Sequence, residues 1–483
     1  MRMLLEGEWV ERDEKIEVRD PYDNSLVDTV PKASEEDLER ALAAAVKGFE
    51  QTKSMPAFER ANILGKTAFS ITENLEGFAR VIAREGSKTI REARIEVARA
   101  ANAFTVAAEE SKRILGETIS FDSFPGGEQR QGYYCRLPLG VILAITPFND
   151  PLNLVAHKLA PALAAGNAVI LKPATLTPLS ALKLADTLLQ AGLPPLALQV
   201  VTGSGADIGD RLVGDARVRM VSFTGGTEVG KRIARTAGIK KIGMELGSNS
   251  PVIVWRDADI AWAARSCVSA AFWAAGQNCI GVQRIHAHDQ VYEEFRDRFV
   301  DLTSQYQIGD KLREETDMGP MITEEEAVRV ERWVKEAVDK GARTVTGGSR
   351  HGTLFAPTVL ENVPTSVSLH CQEAFGPTVN LYRHEGGLDE AIHKANSLPY
   401  GIHAAIFTNS LDVALEAARE LDSGGVMIND STDYRLDSMP FGGVKLSGLG
   451  REGIKFALRQ MTETKVICFY MPESSSRARS LSE

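Results

Sequence analysis

Between about Glu35 and Leu115 apolar side chains return every three or four positions, as in LERALAAAVKGFEQ and VARAANAFTVAAEESKRIL, which predicts a helical layer with few strands inside it. A Pro-Gly-Gly turn in FDSFPGGEQRQGYYCRLPLG then introduces a stretch of roughly period-two character, read as a hairpin leaving the helical body. From Gly140 the rhythm changes. GVILAITPFN, AVILKPA, LALQVVTG and VRMVSFTGG are short aliphatic runs, and they alternate with amphipathic stretches through LNLVAHKLAPALAAG, LSALKLADTLLQAG and EVGKRIARTAG. Strands apolar on both sides and spaced by helices predict a mostly parallel sheet covered on both faces. Ligands bind such sheets beyond the carboxyl ends of the strands, which puts Asn149, Lys172 to Thr175, Gly203 and Gly225 to Thr227 along one rim.

A second α/β series opens at NSPVIVW, Asn249 to Trp255, and runs through KGARTVTGG, TVLENV, FGPTVNLYRH, AAIFTNS and GGVMIND, predicting a second α/β domain. The end, TKVICFYM and then the polar PESSSRARSLSE, predicts an apolar strand and a tail. A long edge strand is more comfortable paired with another chain than left bare, so a homo-oligomer is expected. A chain of 483 residues exceeds what one core organises, in keeping with two large domains and a small appendage.

Composition narrows the function classes. With 43% hydrophobic and 25% charged residues and no long apolar run, neither a membrane span nor a disordered class is expected. The start, MRMLLEGEWVERDEK, has no apolar core or cleavage site of a secretory signal, so a cytoplasmic location is expected. A net charge of −10, with bases interspersed among acids, argues against nucleic acid as a partner. The five cysteines (135, 267, 279, 371 and 468) are scattered without C-x-x-C or Cys/His clustering, so neither disulfides nor a metal site is expected.

One of those cysteines has an unusual setting. In GQNCIGVQR, Cys279 follows a glycine and two amides, where the backbone can leave the preceding helix and display a sulfur. A buried cysteine acting as a small hydrophobe is the plain alternative. Two glycine loops compete for a dinucleotide. VVTGSGADIG (Gly203, Gly205, Gly209) has one residue too many for G-x-G-x-x-G and no acid at the required offset, so an ordinary Rossmann reading is poor. In SFTGGTEVGKRIA, Phe223 closes a strand, Gly225 and Gly226 remove side chains, Thr227 caps, and Glu228 to Ala237 form a helix whose N-terminus suits a pyrophosphate. Lys172, in ILKPAT, reads either as a ligand for ribose or phosphate or as a solvated strand end.

Taken together and in order, TPFN (Thr146 to Asn149), LKPA, FTGGTEVG, MELGSNSP, GQNC, EAFGP and PFGGVKLSGLGRE resemble the aldehyde dehydrogenase superfamily over nearly the whole chain. The resemblance implies a Rossmann-like cofactor domain (1–121 and 141–247), an α/β catalytic domain (248–447), and a small β oligomerisation arm with a C-terminal segment (122–140 and 448–483) of a homodimer or homotetramer. It implies Cys279 as nucleophile, Asn149 with the Cys279 N–H as oxyanion donors, and Glu245 as the base that activates water on a thioester. CoA-acylating relatives lack this glutamate, so release of a free acid is implied. The site is expected to favour the ionised form of Cys279.

For NAD or NADP the implied contacts are Thr146, Pro147, Phe148, Lys172, Ala174, Thr175, Gly205, Phe223, Gly225, Thr227 and Leu246, with Glu373 on the nicotinamide ribose and Phe375 beside the ring. Two positions depart from the pattern. Thr175 stands where NAD-preferring members have glutamate, which predicts tolerance of NADP, and Gly226 replaces a serine. Phe148, ELGSNSP and INDSTDYRLDSMPFGG resemble the branch of lactaldehyde, glycolaldehyde, non-phosphorylating glyceraldehyde-3-phosphate and phosphonoacetaldehyde dehydrogenases, which implies a short polar or anionic aldehyde. Arg99 and Arg435 could hold an anionic end, although each taken singly reads as a surface arginine. Asn278 stands where some users of phosphorylated aldehydes have arginine, which weakens that choice of substrate. A cysteine hydrolase and a non-catalytic structural relative are the rival readings; the first needs a histidine beside Cys279, and the second would be expected to have lost Cys279, Glu245 or Asn149.

Overall fold

The computed structural model describes residues 1–471, so the polar stretch PESSSRARSLSE lies outside the described residues. The chain opens on four strands, β1 (Met3–Leu5), β2 (Glu8–Val10), β3 (Lys15–Arg19) and β4 (Leu26–Pro31), followed by helices α1 (Glu35–Thr52), α2 (Ala57–Glu73), α3 (Leu75–Glu85) and α4 (Ile90–Ser111). The helices fall where the apolar spacing puts them. Reciprocal caps fix two of their starts, Ser34 with Asp37 at α1 and Thr89 with Glu92 at α4. The opening strands carry no comparable local signal. Three apolar residues make β1, and its place is set by antiparallel pairing of Leu4 with the distant Val200.

After β5 (Glu117–Thr118) and β6 (Arg130–Pro138), the chain alternates β7 (Val141–Ile145), α5 (Asn153–Ala164), β8 (Ala168–Lys172), α6 (Leu179–Gln190), β9 (Leu198–Val200), α7 (Gly205–Gly214), β10 (Val218–Thr224), α8 (Thr227–Thr236) and β11 (Lys241–Glu245). Strands β9, β8, β7, β10 and β11 lie side by side and parallel, so their carboxyl ends share one rim. Pairing sets Ile145 against Lys172 and Phe223, and Thr224 against Glu245. The GSGADIG run is helical, with Ser204 accepting from the Asp207 N–H as cap and Gly205 as the first residue of α7. At α8 the cap position is Gly226, and Thr227, expected as the cap, is the first helical residue.

The second series comprises β12 (Ser250–Val254), α9 (Ile260–Phe272), β13 (Val282–His288), α10 (Asp289–Ser304), α11 (Glu324–Asp339), β14 (Arg343–Thr346), β15 (Arg350–His351), β16 (Leu354–Phe355), β17 (Thr358–Glu361), α12 (Ser368–Cys371), β18 (Thr378–His384), α13 (Leu388–Asn396), β19 (His403–Phe407), α14 (Leu411–Glu420) and β20 (Gly425–Ile428). Its sheet runs β14-β17-β18-β13-β12-β19-β20. The central strand β13 follows the Cys279 motif. Its sequence VQRIHAH hides it from a hydrophobicity reading, yet all of its residues are buried.

Last come β21 (Gly448–Leu449), α15 (Ile454–Gln460) and β22 (Thr462–Tyr470). β21 closes the first sheet by pairing with β11, which brings Glu452 under Glu245's strand. β22 pairs along its length with β6, and β5 flanks β6, leaving β22 as an edge with Val466, Phe469 and Tyr470 exposed.

Candidate active site

Helix α9 delivers the chain to Cys279 through an unusual turn. After Phe272 the backbone turns left-handed at three successive residues, Ala274 (φ 50°), Ala275 (φ 56°) and Gly276 (φ 70°). An L-residue there costs about 1–2 kcal/mol, so two alanines hold the conformation only because their surroundings dictate it. Gly276 must be glycine for another reason: a Cβ would lie 2.2 Å from the Gly376 carbonyl oxygen. Gln277 braces the turn, its Nε2 donating to the Ala274 carbonyl at 2.8 Å and its Oε1 accepting from the Ile322 N–H at 2.9 Å. Cys279 emerges half-buried beside Ile280, Ile402 and Phe441.

The thiol opens onto a cleft of about 750 Å³, counting its mouth, lined also by Glu245, Asp150, Thr224, Arg99, Arg435 and Glu452. The structure thus joins Cys279 to Glu245, and it brings both candidate arginines to the same place. Asn149 is buried on the loop after β7, one residue before the cleft-lining Asp150, and does not itself line the cleft. No histidine lines it. The expected preference for thiolate is not supplied by the chain: burial first, then Glu373, Asp150 and Glu245, push the Cys279 thiol up, against the pull of Arg435.

Glu245 ends β11, and its Oε2 is buried with no partner. Burial and the neighbouring Glu452 push its carboxyl well above the usual range, with Arg435 and Lys158 opposing. Behind it lies a network of paired charges, in which the Arg435 Nε–H is left without a partner. Lys158 Nζ donates to Glu452 Oε1 at 2.9 Å and Arg435 Nη2 to Glu452 Oε2 at 3.0 Å. His157 Nε2 meets Asp437 Oδ1 at 3.0 Å, and Asn102 Nδ2 donates to Asp437 Oδ2 at 2.8 Å. Arg435 is therefore no surface arginine; it is buried, with its guanidinium 3.7 Å from the Phe441 ring centre. Arg99 is the more open of the two, reaching Asp437 at 3.4 Å. Sequence reasoning missed Lys158, His157 and Asp437. The available signal was His157 and Lys158 in a helix that is otherwise apolar after its first residue, Asn153, since buried charges need partners.

The rim meets the requirements of a dinucleotide. Lys172 is buried rather than solvated, with Nζ donating to the Pro173 carbonyl at 3.0 Å and burial pushing its pKa down to about 8. Beside it are Ala174 and Thr175, whose hydroxyl donates to the Gly203 carbonyl at 3.1 Å. Gly205 begins one helix, and Gly226 and Thr227 begin another, with open space where a Gly226 Cβ would stand. Phe223 lies beneath Gly225, where a Cβ would be 2.6 Å from its ring, and Leu246 packs against Gly230 in the same way. Thr146, ahead of Pro147, keeps a buried hydroxyl without a partner.

Phe148 and Phe375 meet edge to face at 5.7 Å, and Phe375 is itself left-handed at φ 45°. Glu373 accepts from the Ser248 N–H at 2.9 Å, and burial pushes its carboxyl up to about 7. Gly247 gives it room, since a Cβ would lie 2.5 Å from Glu373 Oε2. These groups can hold ribose hydroxyls, a pyrophosphate and a flat ring, so the chain's own residues fit NAD or NADP.

Among the described residues, no helix is long and apolar enough to cross a membrane, and no cluster of three His, Cys, Asp or Glu residues could hold a metal ion. A sequence model of the Aldehyde dehydrogenase family matches residues 9–467. The chain is 50% identical to aspartate-semialdehyde dehydrogenase 1 of Pseudomonas canavaninivorans over 94% of its own length and 96% of that protein's. It is 45% identical to 3-sulfolactaldehyde dehydrogenase of Priestia aryabhattai over 96% and 97% of the two chains. Among solved structures it superposes on aldehyde dehydrogenase 21 of Physcomitrella patens, in complex with the reaction product succinate, with a TM-score of 0.95, 38% identity and 98% of each chain covered. The NADP complex of glyceraldehyde-3-phosphate dehydrogenase from Bacillus halodurans gives a TM-score of 0.95 at 37% identity, covering 97% of this chain and 99% of the other.

Proposed function

The chain belongs to the aldehyde dehydrogenase family, an NAD(P)-dependent oxidoreductase class, and we propose that its substrate is a short aldehyde carrying a carboxylate or sulfonate. The observation that carries this reading is one cleft holding Cys279, Glu245, Arg99 and Arg435 together. Relatives named for aspartate semialdehyde and 3-sulfolactaldehyde, and a structural neighbour holding succinate, all point to an acid group close to the reacting carbonyl. Arg99 is the side chain best placed for that acid group, because its contact with Asp437 is long and a third of its side chain stays exposed.

In this reading the Cys279 thiolate adds to the aldehyde carbon, and the thiohemiacetal oxyanion is met by the Cys279 N–H; Asn149, buried on the loop next to the cleft-lining Asp150, is proposed as the second donor, which requires its amide to reach into the cleft. A dinucleotide held by Lys172, the Gly226–Thr227 helix start and Glu373 would supply the hydride acceptor for that carbon. The resulting thioester is cleaved when Glu245 takes a proton from water, the oxygen adds to the thioester carbon, and the C–S bond breaks to release the acid and restore the thiolate. Glu452 stays charged through Lys158 and Arg435, and its field helps keep Glu245 a strong base. With threonine at 175, its hydroxyl engaged by Gly203, no carboxylate there repels a 2′-phosphate, so NADP is accepted as well as NAD. The open edge of β22 and its exposed Val466, Phe469 and Tyr470 support a homodimer or homotetramer, which we place in the cytoplasm.

The test is kcat/KM for aldehydes of equal length with and without a terminal acid, in wild type and Arg99→Ala. The anionic substrate is expected to lead by about 10- to 10²-fold, the worth of one charged hydrogen bond pair, and the lead should vanish in the variant. Equal use of the neutral aldehyde by the wild type would refute the substrate class.

A further inference from the structure

The turn that presents Cys279 is held by a residue on a different element. Ala274 and Ala275 sit in a backbone region that alanine adopts only under constraint. The Ala274 N–H donates to Glu92 Oε1 at 2.9 Å, across 182 positions of sequence. The other oxygen of Glu92 accepts from the Thr89 N–H at 2.8 Å and the Thr89 hydroxyl at 3.1 Å, closing the reciprocal cap of α4. Glu92 is buried, so its two oxygens are committed: one to its own helix start, the other to the strained turn.

The same helix grips the opposite wall. One turn on, Glu96 Oε1 accepts from the N–H groups of Leu152 and Asn153 at 2.8 and 3.0 Å, at the end of the loop that bears Asn149 and Asp150. Lys88 bonds Glu96 at 2.8 Å and pairs with Asp150. Arg99, two turns past Glu92, lines the cleft itself. α4 is a rigid bar to which both walls of the cleft are fastened.

We propose that Glu92 is a positioning residue for Cys279: by gripping the Ala274 N–H it keeps Ala274 and Ala275 left-handed, and so fixes where the sulfur stands. This rests on the reading of Cys279 as nucleophile.

Glu92→Asp separates the two duties of the side chain. An aspartate in the same capping position serves α1, where Asp37 accepts from the Ser34 N–H, so the cap of α4 is retained while the shorter chain no longer reaches Ala274. The expected result is a slower rate of iodoacetamide alkylation at Cys279, followed on its own peptide by mass spectrometry, and a lower kcat, each by roughly tenfold to 10²-fold. The unfolding midpoint and the NADP dissociation constant should stay near wild type. Adding Ala274→Gly, which removes the left-handed strain at the residue that Glu92 grips, should bring both rates back toward wild type. Thr89→Ala, which loosens the cap and leaves the Ala274 contact, should lower the unfolding midpoint and leave Cys279 alkylation unchanged. Wild-type alkylation in Glu92→Asp overturns the proposal, as does a loss that Ala274→Gly does not restore or an equal loss in Thr89→Ala. If Cys279→Ser retains turnover, the nucleophile assignment falls, whereas the alkylation rates still report on the clamp.

Discussion

The buried network behind Glu245 and the half-buried surroundings of Cys279 adjoin each other and are built on opposite plans. In the network of Lys158, Glu452, Arg435, His157 and Asp437 every charge meets an opposite charge or a donor. Beside Cys279 two polar groups are left without partners: the thiol has burial and acids against its ionisation, and the Glu245 Oε2 and Thr224 hydroxyl are buried and unbonded. Paired charges hold geometry, and unpaired groups retain the capacity to react. The cost of the second arrangement is offset by the first, because a buried charge without a partner is tolerated only inside a rigid frame.

The comparison breaks most completely at the sulfur. Cys279→Ser, with its poorer nucleophile in the same place, is expected to abolish aldehyde oxidation while NADP still binds, measured as reduced-cofactor absorbance beside a binding titration. On the paired side, Lys158→Met leaves Glu452 Oε1 without its cation and Arg435 as the one remaining partner of that carboxylate, and removing one partner of a buried pair costs about 3–5 kcal/mol, read as a large fall in the unfolding midpoint. Asn149→Ala removes an oxyanion donor and should lower kcat by roughly 10²–10³ with little change in the midpoint. If Lys158→Met leaves stability untouched while Asn149→Ala unfolds the protein, the division of labour is drawn the wrong way round.

The pH dependence is gentler and follows from Glu245. Its pKa is raised, chiefly by burial, so at a pH below that value it carries a proton and cannot accept one from water. Deacylation should therefore increase with pH through a range above that of an ordinary carboxylate. Glu452→Gln, which removes the acidic neighbour, should move that rise to lower pH. A pH profile of kcat in both proteins checks the sign.

Much of this was legible in the sequence, and the limit has a physical cause. The parallel strands declare themselves through unbroken aliphatic runs such as VILAI and AVILK, because burial on both faces leaves no polar alternation. The glycine and two amides before Cys279 signalled that the chain leaves its helix there, though the left-handed Ala-Ala pair could not be foreseen, since alanine has no preference for that region. β1 and β13 were passed over because their strand character comes from distant partners and from burial rather than local spacing. The same holds for Lys158 with Glu452 and for Glu92 with Ala274, contacts across 294 and 182 positions that only the folded topology creates. The upward push on the Cys279 thiol is hidden for a related reason: it comes from burial first and then from Glu373, Asp150 and Glu245, and no single motif shows their sum.

The most direct test of the whole account is rapid mixing of Glu245→Gln with NADP and an anionic aldehyde. With the sulfur intact and the base removed, the account predicts a burst of reduced cofactor close to one equivalent per Cys279, followed by turnover slower by roughly 10²–10⁴. Mass spectrometry should find the acyl group on Cys279. Steady turnover at the wild-type rate, or a burst that leaves Cys279 unmodified, would contradict it.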